Sequence, residues 1–207
     1  MKPFISNFVT GNLYKRVTAI LLNPQATWEV IRSERLTVGQ IYREYLVPIA
    51  LIPAVATFIG RALVGIQQPY GGVVRTPIIG SVVAAVFTFG LTLLGIFIAG
   101  KVINALAPNF AASRNDLNAL KLAAYSWTPA ILATVFYAYP PWQVAAFLCS
   151  LYAIYLLYLG LPILLDCPPE NTVGYTLISI VVMVALYVAV YAASVGSSAA
   201  YQLGFGR

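Results

Sequence analysis

Long apolar runs separated by short polar breaks set the pattern of this sequence. Five of them, roughly Leu46 to Gly65, Ile78 to Gly100, Lys121 to Tyr139, Trp142 to Leu165 and Tyr175 to Gly196, reach the length of about 20 residues with which a helix crosses about 30 Å of hydrocarbon. Turn residues punctuate the breaks: QQPYGG at 67 to 72, NALAPNFAASRND at 104 to 116, YPPW at 139 to 142 and DCPPENTVG at 166 to 174. Proline, glycine and asparagine in such clusters end helices. The pattern predicts an all-α integral membrane protein with five transmembrane helices, the bundle occupying 46 to 207.

The first 45 residues are polar enough to be wet, yet periodic in their apolar positions. In NLYKRVTAILL, Leu13, Val17, Ile20 and Leu21 share one helical face, with Lys15 and Arg16 off it. Asn23 followed by Pro24 opens a second helix, which carries Trp28 and Ile31 on one side and Glu29 and Arg32 on the other. Thr37 with Gln40 matches a capping box for a third helix running through Ile41, Tyr42 and Tyr45 toward the first span. These cytoplasmic amphipathic helices have two placements open. They lie on the inner leaflet as interfacial helices, with Lys15, Arg16 and Trp28 as anchors, or they pack as a lid on the ends of the bundle. An amphipathic stripe says only that something apolar covers it.

Composition changes this picture little but orients it. The chain has 60% hydrophobic and 9% charged residues, against about 25% charged in a soluble domain, and a mean hydropathy of +0.84. Lys and Arg total 12 against 6 Asp and Glu, a net charge of +6. Most basic residues lie between or before apolar runs, so they read as topology signals and contacts to anionic headgroups, not as a nucleic-acid surface. An inward N-terminus places nine of them inside, Lys2, Lys15, Arg16, Arg32, Arg35, Arg43, Lys101, Arg114 and Lys121, and three outside, Arg61, Arg75 and Arg207. The excess of inward charge predicts a cytoplasmic N-terminus and, after five crossings, an external C-terminus. Tyr70, Tyr139, Trp142 and Tyr201 then fall near the outer interface, where a ring with a polar tip is stable. Met1 reads as retained, because no uninterrupted apolar stretch with a small-residue cleavage site follows it.

Little in the sequence suggests catalysis. Histidine is absent, and Cys149 and Cys167 stand eighteen positions apart, which removes the commonest proton shuttle and any disulfide or zinc framework. All six acids are expected outside the spans, so no enzyme, metal or cofactor is expected. Arg61 is the one charge well inside an apolar run; it snorkels to the outer face or, with Arg75, contacts an anion or lipid headgroup. Tyr152, Tyr155 and Tyr158 in the fourth span and Tyr187 and Tyr191 in the fifth form a polar seam or hydrogen bond across helices.

Small residues recur every four positions at Ala185, Ala189 and Ala193, at Gly80 with Ala84, and at Gly95 with Ala99. They suit helix contacts within one copy or between copies of a homo-oligomer. Pro48, Pro53, Pro129 and Pro162 can kink their spans and so enclose a ligand cavity. In DCPPENTVG the prolines stop one helix and Asn171 or Thr172 caps the next, while Cys167 without a neighbouring base is a weak nucleophile. Asp166 and Glu170 are candidates to pair with Lys101, Arg114 or Lys121 across the cytoplasmic face.

Three segments, LLNPQATWEVIRSE at 21 to 34, KLAAYSWTP at 121 to 129 and YLLYLGLPILLDCPPENTVGY at 155 to 175, resemble in order and spacing prokaryotic members of the Ypt-interacting protein (Yip) domain family. The resemblance covers nearly the whole chain and implies five spans, a cytoplasmic N-terminus and a prokaryotic cytoplasmic (inner) membrane. Eukaryotic members are linked to vesicle traffic through prenylated small GTPases, in part through an N-terminal DLYGP motif. Here GNLYKR at 11 to 16 lacks the acid and the glycine-proline, so that partnership is not implied. The expectation is a nonenzymatic membrane protein that organises membrane lipid or a cytoplasmic protein partner. A small transporter, channel or lipid-moving protein with a cavity between kinked helices is the alternative.

Overall fold

Hydrocarbon offers the backbone no hydrogen-bond partners, so a chain this apolar satisfies its own peptide groups in helices. The computed structural model describes residues 13–67, 73–138 and 142–205. A helical hairpin, α1 (Leu13–Leu22) and α2 (Pro24–Ser33), precedes α3, a helical rod over Val38–Val64. Then follow α4 (Ile78–Leu106), α5 (Asp116–Ser126), α6 (Thr128–Ala133), α7 (Gln143–Leu165) and α8 (Pro169–Phe205). Five helical stretches are long and apolar enough to cross a membrane: Val38–Val64, Ile78–Phe110, Asp116–Phe136, Ala146–Leu165 and Pro169–Leu186. The five-span, all-α class holds, with one addition: a two-residue antiparallel pairing of Ile66–Gln67 with Val73–Val74 between the first two spans.

Span boundaries differ from the hydropathy reading for local reasons. The first span starts at Val38 and not at Leu46 because the capping box forms: Gln40 Oε1 accepts from the Thr37 N–H at 2.8 Å, and the Thr37 hydroxyl accepts from the Gln40 N–H. Pro48 has no N–H for the Glu44 carbonyl, and the helix widens into a π turn at Tyr42–Leu46, closed by the Val47 N–H on the Tyr42 carbonyl. A second π turn covers Gly60–Val64. The third span is not one helix from Lys121. It starts at Asp116, where the Asn115 side chain accepts from the Asn118 N–H at 3.0 Å, and it breaks at Trp127 before Pro129. Glu44 and Asp116, expected outside the spans, therefore fall in end turns of span helices, where they are exposed.

Every residue of α5 from Ala119 to Ser126 is buried, so this short helix is the axis of the bundle. It packs on α4 and α7, while α3 and α8 lie against α4. Two glycines allow the closest approaches. A Cβ on Gly100 would stand 3.0 Å from the Leu120 Cα, so α4 and α5 touch backbone to backbone. A Cβ on Gly160 would stand 2.5 Å from Leu122 Cδ1 and 2.9 Å from the Trp28 ring, so the missing side chain is the seat of α2 on α7. Gly80, Ala84 and Ala99 are buried as helix contacts, Gly95 is partly buried, and Ala185, Ala189 and Ala193 face outward. Of the expected outer aromatics, Trp142 is exposed; Tyr70, Tyr139 and the Tyr201 side chain lie outside the described residues.

The turn after α7 shows how hydrocarbon rules shape a loop. Pro168 and Pro169 lack the N–H groups that would serve the Leu164 and Leu165 carbonyls four residues back. Substitutes come from the α4–α5 connection: Asn118 Nδ2 donates to the Leu164 carbonyl at 2.9 Å and the Ser113 N–H to the Leu165 carbonyl at 2.7 Å. Asp166 takes a left-handed φ of 50°, and α8 begins at Pro169, ahead of the caps expected at Asn171 or Thr172. Asn171 Nδ2 instead donates to the Phe110 carbonyl at 3.0 Å, and the Thr172 hydroxyl to the Pro168 carbonyl at 2.9 Å. The loop is a joint between two helical hairpins, made mainly by backbone acceptors.

Gly160→Ala is expected to lower the melting temperature of the detergent-purified protein, at the cost of about 1–3 kcal/mol typical of an overpacked contact. Gly90→Ala, where an added methyl meets nothing within 4 Å, should leave the melting temperature unchanged or raise it slightly.

Candidate functional site

A charge leaves water only where protein groups replace its hydration. Three helical segments bring such groups together beneath the N-terminal hairpin. Arg16 comes from α1, Glu34 from the residue after α2, and Lys121 and Tyr125 from α5. Arg16 Nη2 donates to Glu34 Oε1 at 2.7 Å and to Oε2 at 2.9 Å, while Nη1 donates to the Tyr125 hydroxyl. The side chains of this ion pair are only 10% and 8% exposed. Lys121 Nζ donates to the carbonyls of Ile31 at 2.8 Å and Glu34 at 2.7 Å, and Lys121 is 1% exposed.

The geometry follows from how α2 ends. The last carbonyls of a helix have no partner within it and carry its negative partial charge. Glu34 leaves the helix in an extended conformation, φ −72° and ψ 129°, so its carbonyl meets Lys121 while its carboxylate turns back to Arg16. Lys121 thereby caps α2 from another helix. Two cations and one carboxylate leave the cluster with one positive charge, which the dipoles at the end of α2 offset. Burial works against the Arg16 charge, yet Tyr125 and Glu34 outweigh it and hold the guanidinium above its ordinary pKa. An aromatic wall closes the cluster: Tyr125 meets Trp28 edge-on at 6.3 Å and Tyr45 at 4.4 Å, and the Tyr45 hydroxyl bonds to Thr128 Oγ1.

The structure redistributes the residues singled out from the sequence. Trp28 is fully buried and Arg16 nearly so, so neither anchors on a lipid surface; Lys15 is exposed. Lys121 is not available to the Asp166 loop, because it is inside the bundle. Asp166 Oδ1 instead accepts from Arg32 Nη2 at 2.7 Å, and Lys101 Nζ reaches Asp116 Oδ2 at 2.9 Å, each pair about half exposed. Glu170 and Arg114 are exposed and take no part in the ion pairs formed among the described residues. Arg61 is buried in the second π turn and has partners, and its carbonyl accepts from the Thr76 N–H at 3.1 Å, which sets the exposed Arg75 segment beside it. Tyr152 donates to the Leu21 carbonyl at 2.7 Å, whereas Tyr155 and Tyr158 are exposed; the side chains of Tyr187 and Tyr191 lie outside the described residues.

Cys167 is buried and accepts from the Thr172 hydroxyl at 3.7 Å. Burial raises its thiol pKa, with Thr172 partly opposing the shift, so little thiolate forms at neutral pH. Among the described residues no three His, Cys, Asp or Glu side chains gather as a metal site.

A family model, the Yip1 domain, matches residues 18–192. The chain belongs to the Yip1 domain family. In this Yip1 domain protein the three segments that resemble the family converge on the cluster. The first supplies Trp28 and Glu34, the second Lys121, Tyr125 and Thr128, and the third Gly160. The chain is similar to "Inner membrane protein YohC" of Escherichia coli strain K12, 27% identical over 167 residues that span 77% of this chain and 84% of the relative. The protein of the same name from Escherichia coli O6:H1 shows the same identity and coverage. No solved structure matches.

Sequence reasoning missed the cluster because it took charge as a mark of exposure. One signal was present: Arg16 stands three residues after Leu13 and four before Ile20, so helical spacing sets it at the edge of the apolar face. Glu34→Leu strands the Arg16 guanidinium and is expected to destabilise the protein by about 3–5 kcal/mol. Arg16→Met combined with Glu34→Leu should recover most of that loss, because an apolar pair needs no compensation; thermal unfolding in nanodiscs checks both.

Proposed function

We propose that this protein is a nonenzymatic organiser of the cytoplasmic (inner) membrane. Its N-terminus is cytoplasmic and its C-terminus external, and its exposed basic residues at the cytoplasmic end engage anionic lipid or a protein partner. The observation that carries the reading is where the buried charges are used. Arg16, Glu34 and Lys121 are engaged with Tyr125 and with the end of α2, which fits a scaffold holding its own helices. Lys15, Arg35 and Arg43 are exposed around that end, and each basic residue near an anionic surface contributes about 1 kcal/mol of attraction. The similarity to a protein named as an inner membrane protein supports the location. Nucleic acid is not a partner in this reading, and assembly of several copies is compatible with it.

A transporter, channel or lipid-moving protein is the second reading. The π turns at Tyr42–Leu46 and Gly60–Val64 and the break at Trp127 favour it, because irregular helices often mark passages through a bundle.

Native mass spectrometry of the purified protein separates the readings when combined with flux measurements. The organiser reading expects phosphatidylglycerol to be retained over phosphatidylcholine and the preference to fall about tenfold or more in Lys15→Glu/Arg35→Glu/Arg43→Glu protein. It also expects ion flux and lipid scrambling in reconstituted vesicles at the level of empty ones. Flux above that level would support the second reading, and an unchanged lipid preference in the triple variant would count against the first.

A further inference from the structure

Three contacts between the N-terminal hairpin and α7 run in step. Tyr152 Oη donates to the Leu21 carbonyl at 2.7 Å, the Trp28 ring lies over Gly160, and Arg32 Nη2 reaches Asp166 Oδ1 at 2.7 Å. Residues 21, 28 and 32 thus match 152, 160 and 166, and α2 runs parallel to α7. The turn between α1 and α2 stands beside Tyr152, thirteen positions before Leu165, which is about 20 Å along a helix rising about 1.5 Å per residue. The other end of this ladder is level with the edge of the apolar belt. On α4 exposed Phe97 and Ile98 give way to exposed Lys101; Lys101 pairs with Asp116, and Asn118, half a turn further on, holds the Leu164 carbonyl. One leaflet is half of about 30 Å of hydrocarbon, about 15 Å, so a turn about 20 Å along the helix reaches the middle of the bilayer and does not lie above the membrane.

Several carbonyls of the turn have protein donors, although the Asn23 side chain does not cap the first amides of α2. The Ala19 carbonyl accepts from the Asn23 N–H at 2.9 Å and the Thr27 hydroxyl at 3.0 Å. The Asn23 carbonyl accepts from the Thr27 N–H at 3.1 Å and its hydroxyl at 2.6 Å, Tyr152 serves Leu21, and Pro24 has no N–H. A turn in water has no need of such partners, whereas one in hydrocarbon does. The tip presents Leu22, 83% exposed, beside exposed Asn23, and the outward positions of α2 then run from Gln25 to the charged Glu29 and Arg32 at the base.

We propose that the hairpin 13–33 is a re-entrant element that enters the bilayer from the side of the Asp166 turn and reaches its middle. Leu22 lies against acyl chains, and Glu29 and Arg32 extend to the phospholipid headgroups. The occupant of its outer face is phospholipid of the leaflet on that side. The inference rests on the bundle crossing a membrane, but not on which side the N-terminus faces or on what the protein organises.

Nitroxide labels at Leu22→Cys, Gln25→Cys, Glu29→Cys and Arg32→Cys, in protein carrying Cys149→Ala and Cys167→Ala, test it in phosphatidylcholine–phosphatidylglycerol vesicles. Oxygen concentrates in hydrocarbon and a nickel chelate stays in water. The ratio of oxygen to nickel collisions is expected to be highest at 22 and to fall stepwise toward 32; a ratio at 22 equal to or below that at 32 overturns the proposal. In protein with its native cysteines, Leu22→Arg should lower the melting temperature in the same vesicles, and an unchanged value would likewise overturn it.

Discussion

The ammonium of Lys121 has been taken out of water by the bundle that surrounds it. Even after relaxation, such a transfer costs several kcal/mol unless protein groups restore the lost hydration. Here the restoring groups are two carbonyls at the end of α2, with the Glu34 carboxylate near by. Both carbonyls belong to the N-terminal hairpin, so the charge is satisfied only when the hairpin is in place. The rest of that end of the molecule follows as a set: Glu34 turns toward Arg16, Arg16 toward Tyr125, and Trp28 drops over Gly160. A bundle with the hairpin removed would expose a cation, a phenol and a glycine groove together. Residues 13–45 therefore pack as one body with the helices that follow them.

The same requirement for satisfied backbone recurs across the fold and gives the tyrosines their role. Tyr42 donates to the Leu93 carbonyl at 3.1 Å, Tyr152 to the Leu21 carbonyl, and Tyr175 to the Ile103 carbonyl. Each hydroxyl joins one helix to the backbone of another, and Tyr175 is further fixed by stacking on Phe110 at 4.7 Å. Asn118 and Ser113 do the same for the carbonyls orphaned by Pro168 and Pro169. Side chains of a few polar types thus replace the solvent that the lipid cannot supply. Such bonds are individually modest, about 1 kcal/mol, but an unmet carbonyl at the same place would cost more.

The five spans were legible because a length of about 20 apolar residues is a property of each segment alone. The Thr37–Gln40 box and the turn at the two prolines were legible for the same reason, since caps and breaks are decided within a few residues. What could not be read was pairing between distant segments. Lys121 and Glu34 are 87 positions apart, and nothing in either neighbourhood announces the other. Charge itself misled: Lys121 and Arg16 carry the same signal as Lys101 and Lys15, and only tertiary burial separates the inner pair from the exposed one. Pro129 marked a kink in the third span, and the break at Trp127 stands two residues before it, but hydropathy alone runs the two short helices together.

Hydrogen exchange in nanodiscs tests the dependence of the hairpin on the buried lysine most directly. The account expects the amides of 24–33 to exchange as slowly as those of 119–126, and Lys121→Met to accelerate 24–33 while 119–126 stays protected. Fast exchange of 24–33 in the unaltered protein, or no acceleration in the variant, would contradict it.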